Sequence, residues 1–312
     1  MRSEWPSFGT DDAGVDFGVP RIVSFLPAAT EITYALGAGG DLVGRSHECD
    51  YPPEARALPV VSKPALPLDG MTQKEIDTAV AARLATGESL YQVDEKLLDD
   101  LQPDLVLTQD LCQVCAPSGN ELSRALREMS RPPEVLWLTP RNVAEIEQNI
   151  IAIGDATGRQ EAARALVERN RARIARVTSA VAGAVRRVVF LEWTEPLFCG
   201  GHWVPEMVAA AGGDDPLGQP GGDSRRMTWD DVAAAEPEML IVAPCGYGLA
   251  EAIAVAKRLP HITEAQVYAV DANAYFARPG PRVAEGVELL GHIFHPEGVS
   301  WNHDHTPWER IR

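Results

Sequence analysis

Cys112 and Cys115, separated by two residues, are the pair whose spacing most directly suggests chemistry. A Cys-x-x-Cys arrangement suits a dithiol redox couple or one half of a structural zinc site. Zinc needs two further ligands at comparable spacing, and the sequence holds no second Cys-x-x-Cys. His47 and Cys49 could in principle complete a mixed site, but thiols that pack as small hydrophobes are the simpler reading. A thiol enzyme would need a depressed thiol pKa in an electropositive setting, and Asp110 beside the pair argues against one. Five of the seven histidines, His47, His202, His261, His292 and His295, are scattered rather than gathered, so no metal site is expected. There is no nucleophile elbow, P-loop, His-Glu-x-x-His or paired-carboxylate motif, and no catalytic residue is assigned. The chain does not read as an enzyme.

Aromatic residues point to binding instead. They make up only 6% of the chain, yet Tyr51, Trp193, Phe198, Trp203, Tyr247, Tyr275 and Phe276 all fall in loops that follow apolar runs. Aromatics gathered in a cleft suit a large, flat, partly apolar ligand, though individual rings could equally cover the ends of a sheet. Gly200-Gly201-His202-Trp203 is expected to open a helix reaching about residue 211, with backbone N–H groups available to a polar or anionic ligand group. His202 there could ligate a metal or simply cap by hydrogen bonding; capping is the simpler role.

These loops need a sheet to carry them. Short apolar runs at 21–26, 105–108, 135–138, 188–191, 239–243 and 267–270 alternate with helical stretches, the pattern of mainly parallel sheets covered on both faces. In such sheets ligands bind outside the carboxyl ends of the strands. Two segments, Leu-Gln-Pro-Asp-Leu-Val-Leu-Thr-Gln at 101–109 and Ala-Glu-Pro-Glu-Met-Leu-Ile-Val-Ala at 235–243, place a helix end, a proline, an acid and a strand in the same order, one in each half. Between the halves, 159–182 is rich in Ala, Arg and Glu without Pro or Gly, long enough for a rigid linking helix of about 35 Å. A Gly-Asp-Ala-Thr-Gly break at 154–158 separates it from a helix starting near 142. Residues 68–88 carry a helical pattern of their own (71–84) and read as an insertion in the first half. The expected architecture is α/β: two Rossmann-like lobes with mainly parallel sheets, at 21–158 and 184–296, joined by one long α-helix at 159–183, with a ligand cleft between the lobes. The tail at 297–312 has no assignment.

With 312 residues, 45% of them hydrophobic and 23% charged, the chain can bury two cores. Its formal net charge of -17 repels phosphate backbones and anionic membranes, so nucleic acid is not an expected partner. No run of about 18 uncharged apolar residues is present, so no membrane insertion is expected. The first twenty residues carry no apolar export segment and the five cysteines are an odd number, which together suggest a cytoplasmic protein.

Across 21–296 the sequence resembles the cobalamin-binding members of the substrate-binding proteins that serve ABC importers. The resemblance rests on Arg-Ile-Val-Ser-Phe-Leu-Pro-Ala-Ala-Thr-Glu at 21–31, Val-Gly-Arg-Ser at 43–46 running into Asp-Tyr-Pro-Pro at 50–53, Pro-Asp-Leu-Val at 103–106, Pro-Leu-Phe-Cys-Gly-Gly at 196–201 and Tyr-Phe-Ala-Arg-Pro-Gly-Pro-Arg at 275–282. It implies cobalamin or a related corrinoid lying in the cleft, with little hinge motion and no turnover. Phe198 and Trp229 would then lie against the corrin, Arg278 and Asn273 would bond its amide periphery, and Tyr51 and the loop at Gln109 would close from the first lobe. The ligand set expected from loops and resemblance together is His47, Tyr51, Gln109, Phe198, His202, Trp203, Trp229, Tyr247, Asn273 and Arg278. An ABC importer is the partner the resemblance implies; without an export segment, a cytoplasmic carrier, scavenger or sensor is expected. Haem, an iron-siderophore or a metal ion on the same fold is the alternative ligand. A thiol-dependent corrinoid-processing enzyme using Cys112 and Cys115 is the alternative activity.

Overall fold

The computed structural model describes residues 19–68, 70–109, 125–126 and 129–312. Cys112 and Cys115 lie outside the described residues.

In chain order the first lobe contains β1 (Ile22–Ser24), α1 (Pro27–Ala35), β2 (Leu42–Ser46), β3 (Val60–Pro64), α2 (Gln73–Ala85), β4 (Tyr91–Val93), α3 (Glu95–Leu101), β5 (Leu105–Thr108) and β6 (Glu134–Trp137). They form a six-stranded sheet in the order β4-β3-β2-β1-β5-β6, parallel except where β4 runs against β3. β1 lies at the middle of the sheet, Ile22 facing Leu42 on one side and Leu105 on the other. All three residues of β1 and all four of β5 are buried, which is why these strands read as unbroken apolar runs.

Two helices follow, α4 (Val143–Ala156) and α5 (Gln160–Ala180). Asn142 caps α4, its side chain accepting the Glu145 N–H at 2.8 Å, and Ile146, Ile150 and Ile153 repeat at helical spacing along its buried face. At the break between the helices a Cβ on Gly154 would stand 2.4 Å from Ala163 Cβ, and Gly158 adopts φ +67°. The glycine pair therefore lets the two helices approach closely and turns the chain between them. The 21 residues of α5 span about 32 Å.

The second lobe comprises β7 (Arg186–Thr194), β8 (Leu197–Cys199), α6 (Val204–Ala210), β9 (Gly213–Asp214), α7 (Trp229–Ala234), β10 (Met239–Val242), α8 (Leu249–Ala256), β11 (Gln266–Val270), α9 (Ala272–Tyr275), α10 (Val283–Phe294) and β12 (Trp308–Arg310). Its sheet has the order β12-β11-β10-β7-β8, with β9 also paired to β7. The centre is parallel, Leu240 facing Val189 and Val267, while β8 and β12 are antiparallel edges. The segment after residue 297 is therefore not an unassigned tail: Trp308 pairs with Val270 and completes the sheet. The architecture is the bilobal α/β arrangement with one long helix between the sheets.

Packing of α5 against α10 is fixed by charge. Glu288 accepts Arg173 through both oxygens (3.0 and 2.6 Å) and Arg176 at 2.7 Å, with His303 Nε2 3.4 Å away. Burial pushes its pKa up, but these cations outweigh it and hold the carboxyl below its ordinary range. Its stabilisation is thus present above about pH 4.5 and lost as the pH falls through the lowered value. Glu288→Gln is expected to cost about 2 to 3 kcal/mol at pH 7. Urea midpoints followed from pH 7 to pH 3.5 should fall less steeply for that variant than for the native chain.

Candidate functional site

Loops at the carboxyl ends of both sheets meet. The link is a buried ion cluster formed by residues 247 to 251 apart in sequence. Glu31, 4% exposed in α1, accepts Arg278 Nη1 at 3.2 Å and Arg282 Nε and Nη2 at 2.8 and 2.6 Å. Arg278, 5% exposed, also donates to Asp50 Oδ1 at 2.7 Å, to the Glu48 carbonyl at 3.2 Å and to Asn273 Oδ1 at 3.2 Å. Arg282 stands 4.1 Å from the centre of the Tyr51 ring, which is otherwise exposed. Burial opposes the Arg282 charge, but the Glu31 carboxylate outweighs it and raises its pKa. Arg278 and Asn273, expected to face a ligand's amides, thus spend these donors and acceptor on one another and on the first lobe.

A second group of rings gathers beyond β7. Trp193 on β7 faces Phe198 on β8 across the hairpin, and its ring stands edge-on to Tyr247 with centroids 5.6 Å apart. Burial pushes the Tyr247 phenol pKa up, which keeps it protonated and a hydrogen-bond donor. Phe198 is half-buried, with the Arg226 guanidinium 5.6 Å from its ring centre. Trp229, also half-buried, opens α7 just after Met227, whose N–H bonds to the Leu197 carbonyl. The Asn273 N–H donates to the Tyr247 carbonyl at 3.0 Å and ties the β10 and β11 loops together. Trp193, Phe198 and Tyr247 form a part-exposed aromatic surface of the kind a flat ligand requires, while Trp229 packs against the second core.

Other expected residues are placed differently. Trp203 is not a cleft ring: it is 8% exposed, belongs to the main core and donates its indole N–H to the Phe276 carbonyl at 2.9 Å. Tyr275 and Phe276 are buried in the same core. Nor does the Gly200-Gly201 turn open a helix to a ligand. The Gly201 N–H is taken by Glu192 Oε1 at 2.9 Å, and α6 begins only at Val204. A Cβ on Gly201 would lie 2.5 Å from the Ser224 backbone nitrogen, so this glycine serves close packing. His202 adopts φ 51° and clamps the neighbouring loop through Gly221 and Gly222, with Nε2 3.2 Å from Asp223 Oδ1. Burial lowers its pKa, so it is neutral at pH 7.

In the first lobe, His47 Nδ1 sits 3.1 Å from the Ser62 carbonyl and Nε2 3.3 Å from Glu48. Cys49 is fully buried, Sγ 3.3 Å from Ser46 Oγ, and burial pushes its thiol pKa up. His47 and Cys49 thus complete local structure. Gln109 is buried where β5 ends. Among the described residues no three His, Cys, Asp or Glu side chains converge to hold a metal ion, and no helix is long and apolar enough to cross a membrane.

Two α/β lobes with their loops joined by ion pairs fit a matching family model, described as periplasmic binding protein, over residues 22–271. The chain belongs to the periplasmic binding protein family. A vitamin B12-binding protein of Photorhabdus laumondii is 23% identical over 275 residues, covering 86% of this chain and 86% of the relative. The structure of the periplasmic vitamin B12 binding protein of Vibrio cholerae superposes with a TM-score of 0.63 at 22% identity, covering 88% of this chain and 96% of that one. A periplasmic heme binding protein from Pseudomonas aeruginosa gives 0.70 at 19% identity, covering 93% and 97%. Three cleft features of this family member escaped sequence reasoning. Glu31 and Arg282 stand in the stretches that carry the resemblance, but their pairing across 251 positions leaves no local signal. Trp193 reads as a loop aromatic outside the expected ligand set, yet it sits on β7 with its ring against Tyr247. The contacts that α2 makes with the second lobe had no signal at all.

Proposed function

We propose that the cleft binds cobalamin or a related corrinoid, as a carrier without turnover. The observation that carries this reading is the part-exposed ring surface of Trp193, Phe198 and Tyr247 beyond the end of β7. The vitamin B12-binding relative, similar over most of both chains, supports the corrinoid over other flat ligands. Charge points the same way. A haem brings two propionates that need cations, whereas Arg278 and Arg282 already face Glu31 and Asp50. A corrin rim of neutral amides requires hydrogen-bonding partners rather than unpaired positive charge. Association with an ABC importer follows from the same reading.

Carriage without turnover is checked by incubating the protein with cyanocobalamin and with hydroxocobalamin, then releasing and chromatographing the ligand. Unaltered corrinoid in stoichiometric yield is expected. Catalytic conversion to a different corrinoid would contradict the carrier role and favour a processing enzyme.

A further inference from the structure

Helix α2 leaves the carboxyl end of β3 in the first lobe, yet its only buried residue, Gln73, contacts the second. Gln73 Oε1 accepts three hydrogen bonds from the end of β7 and the turn after it: Thr194 N–H at 3.0 Å, Thr194 Oγ1–H at 2.6 Å and Glu195 N–H at 3.1 Å. Its side chain also lies beside the Tyr247 hydroxyl. One turn along, Asp77 holds Arg226 through both carboxylate oxygens at 2.9 and 2.8 Å. That guanidinium is the one set over Phe198. No apolar residue of α2 is buried, while the helix starts in a complete capping box, Thr72 with Glu75. It is therefore a helix with its own start signal, fastened by polar contacts across the cleft rather than anchored in a core.

We propose that α2 is an access-controlling clasp of the cleft, fastened by Gln73 and Asp77, which must release Arg226 before a flat ligand can stack on Phe198. The proposal rests on the reading of the ring surface as the ligand face. Polar fastenings suit such an element because each is weak enough to break on binding, whereas a buried apolar face would hold the helix shut. Arg226 and Asp77 set which ligands enter: only one that offers more to Phe198 than the guanidinium does will displace the pair.

Charge reversal separates a clasp from a passive contact. Asp77→Arg and Arg226→Asp alone should each raise hydrogen exchange of residues 73–85, and tryptic cleavage after Lys74 and Arg83, by about tenfold in the ligand-free protein. Combining the two should restore protection, and Gln73→Ala should open the helix with both charges in place. Cyanocobalamin should associate faster with each open variant and return to the native rate with the double reversal. Unchanged exchange in both single reversals would overturn the clasp, as would faster exchange with an unaltered association rate. Should exchange respond as expected while neither native nor variant protein binds cyanocobalamin, the clasp would stand and the corrinoid reading would fail. Thermal midpoints within about 3 °C of the native chain would confirm that the fold survives each change.

Discussion

Glu31→Ala is expected to destabilise the chain by about 3 to 5 kcal/mol, the cost of removing one partner from a buried ion pair. Two guanidinium groups depend on this carboxylate: Arg278 is 5% exposed and Arg282 is largely buried. Asp50 offers Arg278 a second carboxylate, but its side chain is 42% exposed and gives Arg282 nothing in compensation. Without Glu31 two cations that share one buried carboxylate would be left close together, Arg282 with no other carboxylate partner in the cluster. Because the pairs join α1 to the loop between α9 and α10, they also fix the relative position of the lobes. Urea unfolding of Glu31→Ala and Arg282→Ala, with Asp50→Ala as the exposed comparison, checks this. A loss below about 1 kcal/mol at Glu31 would place the cluster in solvent rather than in the interior.

The second large effect concerns affinity. Phe198→Ala and Trp229→Ala should each weaken corrinoid binding by about 1 to 3 kcal/mol, roughly fivefold to 150-fold in Kd, if their exposed faces are covered by the ligand. Phe198→Ala should leave folding largely intact because its ring is only half-buried, whereas Trp229→Ala also removes packing against the second core and should lower stability somewhat. Trp203→Ala should behave in the opposite way. Its ring fills the core and its indole N–H is bonded to Phe276, so stability should fall by about 3 to 5 kcal/mol. Calorimetric titration of the first two variants and thermal melting of the third would separate ring stacking from core packing. Unchanged affinity in both Phe198→Ala and Trp229→Ala would remove those rings from the site.

What could be read from the sequence follows from how local each signal is. Strands buried on both faces, such as β5, β10 and β11, announce themselves as apolar runs. β2 does not, because its run is broken by Gly44 and Arg45; the glycine is there because a Cβ would stand 2.8 Å from Leu101. β12 is three residues long with two charged positions, an edge that only its partner β11 defines. Helix α2 is legible through its helical pattern, and the α4–α5 break through its glycines. Which loop aromatics turn inward is decided by long-range packing, so Trp203, Tyr275 and Phe276 read like cleft rings and are core. For the same reason Arg278 could be singled out, but its neutralisation by Glu31 and Asp50 could not.

A calorimetric and visible-absorption titration of the purified protein with cyanocobalamin, run beside haemin, tests the proposed corrinoid ligand. Saturable one-to-one binding of cyanocobalamin at micromolar or tighter affinity, with haemin much weaker, is the predicted result. Tight haemin binding with no heat from cyanocobalamin would leave the fold untouched and contradict the assigned ligand.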